Sequence, residues 1–247
     1  MKIKIRNWIF CPRLITTLLA LTFFILFLRL GFWQLDRAAQ KYDEFSFFET
    51  RQAKQAINLD QNNIKSLDST ELIWRKVKMT GSFLEERQIL LDNQVNASTA
   101  GYYVYTPFLV KDSENVVLVN RGWVPSGANR SLAPDLLITK GIVTIVGLLK
   151  KEPRTGLLLA KDHTEKLNET IMRMQRLNIE EVSNIIKINL SPLIVRLSPE
   201  SDHGYIRKWK SRDSGKNTHI GYAYQWFAFA VTLLIIYLIM NTKRDTE

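Results

Sequence analysis

Two apolar runs at the ends of this chain constrain it more than any other feature. Leu14 to Leu35 is 22 residues long with Arg29 as its one charge, and Ile220 to Met240 is 21 residues long with none. At a rise of about 1.5 Å per residue, either run as a helix covers a hydrocarbon layer about 30 Å thick. No small-x-small cleavage pattern follows the first run before Gly31-Phe32-Trp33-Gln34, so it is expected to stay on as an anchor rather than to be cut as a leader. Lys2, Lys4, Arg6 and Arg13 precede the first run, and Lys243 and Arg244 follow the second. Positive residues stay on the cytoplasmic side, so both termini are expected there.

That arrangement divides the chain into five expected segments. Residues 1–13 form a cytoplasmic start, 14–35 a first span, 36–218 an exposed domain with a helical neck, 219–240 a second span and 241–247 a cytoplasmic tail. The domain then faces the periplasm of a bacterial inner membrane, or the intermembrane space in a mitochondrion. No Arg-rich, acid-poor transit peptide is read ahead of the first run, which favours the bacterial setting.

The net charge of +10, from 34 Lys and Arg against 24 Asp and Glu, is partly topological. Residues before the first span carry +4 and Arg29 carries +1, so the exposed domain keeps only +5. A nucleic-acid partner is not expected, because its electrostatic footprint would be concentrated on one face of a cytoplasmic domain. Cys11 is the single cysteine, which excludes a disulfide framework, a cysteine zinc site and a CxxC pair.

Between the spans, Asp36 to Gln55 has no Gly or Pro and continues the first helix as a neck. Leu59 to Thr70 is polar and turn-rich, a loop. Short β-branched and aromatic segments then follow at Trp74 to Phe83, Gln88 to Asp92, Tyr102 to Val110, Val116 to Asn120 and Ile142 to Lys150. From Thr164 to Ile186 the apolar residues Leu167, Ile171, Met174, Leu177, Val182 and Ile185 recur at helical spacing, which predicts one helix or two with a bend near Asn178. Ile188 to Leu197 returns to strand. The expected fold is α+β: two transmembrane helices flanking a mainly antiparallel, possibly barrel-like β domain with a helical insertion.

No enzyme is read from these residues. His163, His203 and His219 show no metal-ligand spacing, no GxSxG elbow precedes a helix, and the Ser214-Gly215-Lys216 stretch lacks the earlier glycine of a phosphate loop. Adjacent acids at Glu85-Glu86 and Glu180-Glu181 read as solvated surface.

The entry to the second span is different. Polar and aromatic groups cluster from Asn217 to Trp226, and His219, Tyr222, Ala223 and Trp226 fall on one helical face. Gly221 and Ala223 would let a flat ligand approach, and a histidine at that position suits an axial haem ligand. The other reading is an interfacial histidine that helps to cap the helix. On the first span Gln34 lies at the same depth beside Trp33, with Arg37 and Lys41 following. Those cations could neutralise porphyrin propionates or sit against lipid headgroups. Trp8, Trp33 and Trp226 mark the interfaces, and Arg29 either snorkels to the outer surface or pairs with an anion between the spans.

Five segments in order carry a family resemblance: LGFWQLDRAAQK at Leu30 to Lys41, TGSF at Thr80 to Phe83, YTPF at Tyr105 to Phe108, VLVNRGWVP at Val117 to Pro125, and HIGYAYQWFAFA at His219 to Ala230. Together they resemble the Surfeit-locus (Surf/Shy) family of cytochrome oxidase assembly factors. The resemblance implies a non-enzymatic inner-membrane factor that binds haem a and helps to insert it into the catalytic subunit of a haem-copper oxidase. It implies His219 as the axial ligand; Tyr222 and Trp226, on its helical face, and Gln34 and Arg37, at its depth on the first span, are the other residues expected around the cofactor. Expected partners are that subunit, haem a synthase or other assembly factors, and membrane lipid. The alternative is a protein-only chaperone that steadies an oxidase intermediate without haem. Arg121 and Trp123 match the family's strand motif, either touching cofactor or holding the domain; a packing role is expected for Trp123.

Overall fold

A computed structural model of the chain describes residues 3–5, 8–59, 72–153, 164–209 and 213–244. Three helices are present among them: α1 (Leu14–Ala53), α2 (Ile179–Ile186) and α3 (Lys216–Asn241). The chain divides into two compact units. Met1–Phe48 with Ser211–Glu247 makes the first, and Glu49–Lys210 the second.

In the first unit α1 and α3 run antiparallel. Thr17 meets Tyr237 near one end, with 2.7 Å between their hydroxyl oxygens, Phe27 stacks on Trp226 midway, and Lys216 lies over the Tyr42 ring near the other end. The covered positions repeat at intervals of three and four residues. Gly31 and Ala38 are buried on α1, as are Ala223 and Ala230 on α3. Small residues on such a stripe let a partner's large side chains lie against the backbone. At Gly31 a Cβ would come within 2.4 Å of the Phe227 ring. The rest of each helix is apolar and open. Only 6% of the most apolar window of α1 and 11% of that of α3 is buried, which the core helix of a water-soluble domain would not show. Both helices are long and apolar enough to cross a membrane, and their outward Leu, Ile and Phe side chains suit a hydrocarbon solvent. At the end carrying the chain termini, strands β1 (Ile3–Ile5), β2 (Trp8–Phe10) and β12 (Thr242–Arg244) form a small antiparallel sheet.

The second unit is β-rich. Its strands are β3 (Ile57–Leu59), β4 (Lys76–Phe83), β5 (Gln88–Asn96), β6 (Thr99–Val110), β7 (Val116–Pro125), β8 (Val143–Lys150), β9 (Glu165–Lys166), β10 (Ile171–Met174) and β11 (Leu190–Leu197). Pairing runs β4-β8-β11-β7-β6, and β6 pairs back to β4, closing a five-stranded barrel. All of these pairings are antiparallel except β11 with β7. The long β6 also pairs with β5, and β10 and β9 extend the sheet beyond it. Closure removes edges that an open sheet would leave to aggregate.

Inside the barrel Val77, Met79, Phe108, Val119, Ile145 and Leu149 are buried. A second cluster gathers Ile89, Leu118 and Ile194 under α2, which contributes Val182 and Ile186. That helix is fixed at its start by Asn178, whose side chain accepts from Glu181 N at 2.9 Å, and it ends at Lys187 in the left-handed conformation.

One element differs from its sequence reading. Thr164 to Ile186 is not helical until Ile179: Glu165–Lys166 and Ile171–Met174 are strands. Asn168 diverts the chain, because its side-chain oxygen accepts from the backbone N–H groups of Thr170 and Ile171 at 2.9 and 2.7 Å. Ile171 and Met174, three apart as a helix face would be, are instead the two buried ends of β10. Three strands run further than expected, β5 to Asn96, β7 to Pro125 and β6 from Thr99. Beyond Leu59, the loop expected over Leu59 to Thr70 lies outside the described residues, as does His163.

Candidate functional site

The α3 helix starts at Gly215, which sits at φ 69° and offers no side-chain cap. His219 is therefore one turn inside the helix, and its ring is turned to α1 rather than to the helix end. Its Nδ1 lies 2.8 Å from Gln34 Oε1. An amide oxygen can only accept, so Nδ1 carries the proton and donates. In the neutral ring Nε2 then keeps its lone pair, and the same bond sets the ring's orientation. A neutral imidazole held in this way is a metal ligand by chemistry.

Heptad-like spacing brings the two side chains together. Gln34 falls between the buried Gly31 and Ala38 on α1, and His219 lies one turn before the buried Ala223 on α3. Deeper in the pair, Trp226 stacks on Phe27 at 5.8 Å between centroids and meets Phe229 edge-on. The face expected to be an open slot is thus partly filled by α1. Openness lies beside it: at Gly221 nothing stands within 4 Å of where a Cβ would be.

The other expected site residues are placed differently. Tyr222 is 47% exposed, on the flank rather than in the covered stripe. Arg37 is exposed; its guanidinium donates to Gln40 at 3.0 Å and lies 5.7 Å over the Trp33 ring. Lys41 pairs with Glu44 at 3.0 Å. These contacts are exposed and local, so the cations remain accessible to an anion. No group of three or more metal-ligating side chains occurs among the described residues.

A second cluster, in the barrel unit, was only half visible in the sequence. Between Val104 and Tyr105 the register of β6 on β7 shifts, skipping Arg121, so Arg121-Gly122 is a β-bulge with Gly122 at φ +118°. The bulge turns Arg121 fully inward. Its guanidinium contacts Glu85 Oε1 at 3.1 Å and donates to His203 O at 2.8 Å and Thr139 Oγ1 at 2.9 Å. The rings of Phe83 and Tyr205 lie 4.4 and 5.2 Å from it. Burial pushes the Tyr205 phenol above its ordinary pKa, against the pull of the Arg121 charge.

Arg121 therefore holds the domain: it ties the β7–β8 connection and the 203–206 segment to the barrel. Glu85, read as surface from its acidic neighbour, is its buried counter-charge, with a side chain 12% exposed. The signal was present in Arg121 itself, since a buried arginine needs a carboxylate. Trp123 is buried and donates from its indole to Gln94 O at 2.9 Å.

Comparison with known proteins finds relatives that align over most of the chain. A SURF1-like protein of Rickettsia bellii is 30% identical over 230 residues, covering 91% of this chain and 90% of that one. A SURF1-like protein of Monosiga brevicollis is 22% identical over 226 residues, 87% of this chain and 83% of that one. A cytochrome oxidase assembly protein of Saccharomyces cerevisiae, SHY1, is 29% identical over 106 residues, 43% of this chain and 26% of that one. Residues 21–231, from within the first apolar helix to within the second, match the SURF1 family, and the chain belongs to it.

Proposed function

We propose that this protein is an inner-membrane assembly factor for a haem-copper terminal oxidase, which takes haem a as cargo on His219 and helps to deliver it to the catalytic subunit. Family membership supports the assembly role, through a relative named as a cytochrome oxidase assembly protein. The observation that supports the haem reading best is the bond from His219 Nδ1 to Gln34, which orients the ring so that an unprotonated Nε2 could donate to iron.

The chain's own residues would divide the work simply. His219 ligates through Nε2, and Gln34 keeps the ring in one tautomer. Phe27 and Trp226 keep water from the depth of the helix pair, and Arg37 neutralises a propionate. A single imidazole between two helices in light contact would hold the cargo loosely enough to release it. The distribution of Lys and Arg supports cytoplasmic termini and a periplasmic domain.

A second reading, the protein-only chaperone, has its own observation. In the β7–β8 connection Leu132, Leu137 and Ile138 are all more than 60% exposed, although Arg121 contacts the Leu137 carbonyl and Thr139. A pinned loop showing apolar side chains suits a protein contact.

One experiment separates the two. A deletion strain complemented with His219→Ala should lose oxidase haem a, and the purified variant should fail to take up haem, seen as loss of the shifted Soret band. Full oxidase haem content in that strain would remove the carrier reading and leave the chaperone.

A further inference from the structure

The helix pair has a second cleft, at the end away from His219. A cavity of about 600 Å³ opens there between α1 and α3, a size ordinary for a small-molecule site. Its walls are apolar, with Leu19, Ala20 and Phe23 on one side and Leu233, Ile236 and Met240 on the other. Its rim carries two cations, Arg13 and Lys243, and its lining holds no carboxylate.

The polar wall groups are already satisfied by one another. Tyr237 and Thr17 share a hydrogen bond, Asn241 donates to Tyr237 O at 2.8 Å, and Thr16 donates to Arg13 O at 3.0 Å. Cys11 N donates to Asn241 O at 2.8 Å, and β12 pairs with β2, so the segment carrying Lys243 is held in place. Among the described residues neither Arg13 nor Lys243 has an ion pair. Two cations without an ion pair among the described residues therefore stand beside a largely apolar slot at the end of two helices long and apolar enough to cross a membrane.

We propose that this cleft binds one anionic phospholipid, its acyl chain between the helices and its headgroup phosphate on Arg13 and Lys243. The apolar walls match a chain, and the paired charges select a headgroup with net negative charge over a zwitterionic one. The site shares no residue with the His219 site, so each stands or falls independently.

Cys11, the single cysteine, lines the cavity and reports its occupancy. The full chain in detergent micelles would be titrated with phosphatidylglycerol or phosphatidylcholine, and alkylation of Cys11 by N-ethylmaleimide followed by intact mass. Phosphatidylglycerol should slow alkylation, saturating at one lipid per chain. Its apparent affinity should exceed that of phosphatidylcholine about thirtyfold, the preference two cations give beside an anionic headgroup.

The double variant Arg13→Gln, Lys243→Gln should erase the preference. Ala20→Phe, which fills the slot and leaves both cations, should abolish saturable protection. Equal protection by the two lipids, a preference that survives removal of both cations, or protection that survives Ala20→Phe would each overturn the site.

Discussion

Each unit of this protein holds a polar pair, half-buried in one and buried in the other, and the two pairs are built in opposite ways. In the helix pair, His219 and Gln34 share one hydrogen bond. Inside the barrel, Arg121 and Glu85 are charged, and the guanidinium has further partners in His203, Leu137 and Thr139 and two aromatic rings. A buried charge is costly unless it is neutralised and hydrogen-bonded, and here Glu85 Oε2 alone of the pair's carboxylate oxygens lacks a hydrogen-bond partner among the described residues. A half-buried imidazole carries less of that obligation, because in its uncharged form the free nitrogen can change partner at little cost. The first pair is suited to transfer and the second to permanence.

The largest effect should come from breaking the charged pair. Arg121→Leu leaves Glu85 unpaired in the barrel and should cost about 3–5 kcal/mol, read by chemical denaturation of the full chain in micelles. Adding Glu85→Leu should recover part of that loss, because no charge then remains, but not all, because carbonyls bonded by Arg121 stay unmatched. A single variant no less stable than the parent would erase the distinction between the two pairs. Next in size is the bulge that points Arg121 inward. Gly122→Ala puts a Cβ 2.8 Å from Ile206 O at a φ of +118°. It should cost about 1–3 kcal/mol in the same assay and detach the 203–206 segment, giving faster amide exchange at Tyr205 and Ile206.

What was legible in the sequence follows the same division. The spans could be read because twenty apolar residues in a row have few other uses, and the strands because β-branched and aromatic segments were punctuated by Gly and Asn. The strand expected at Val116 to Asn120 stopped too early, since the bulge at Arg121-Gly122 interrupts the pattern without ending the strand. Leu167, Ile171 and Met174 mimicked a helix through their spacing alone, and a single Asn168 side chain redirected the chain. Gln34 and His219 were placed at one depth by counting along two helices, but no count could show that one would accept from the other. Barrel closure through β4 and β6 is likewise non-local, fixed by how far the strands coil and not by any one segment.

A pH titration sharpens the contrast, because the barrel unit buries a phenol whose proton folding retains. Tyr105 is 2% exposed, and burial holds its phenol well above the ordinary value of 10.0, opposed by a hydrogen bond with Asn120. The folded state keeps this proton to higher pH than the unfolded chain does. Its contribution is complete below pH 10 and is lost as pH rises from there toward the folded pKa, at up to about 1.4 kcal/mol per unit. Tyr105→Phe should flatten that alkaline decline in thermal melts. An unchanged slope would mean that the phenol is not protected by the barrel.

The smallest stability change should come from Gln34→Ala, and it is the most informative. Removing the carbonyl leaves the His219 Nδ1–H without its partner, but the ring is only half-buried and can turn to water or headgroups. The cost should be no more than about 1 kcal/mol. Haem uptake should respond far more, because the ring loses the bond that fixes its tautomer and orientation, and outer partners of this kind are worth about 10–100-fold in ligand affinity. Soret titration of Gln34→Ala beside Gln34→Glu tests the cause. A carboxylate at that position still accepts from Nδ1–H and makes Nε2 a stronger donor, so uptake should be kept or improved. If both variants lost uptake equally, the amide would be acting by packing α1 on α3, and the light contact between the helices would itself be the site's structural requirement.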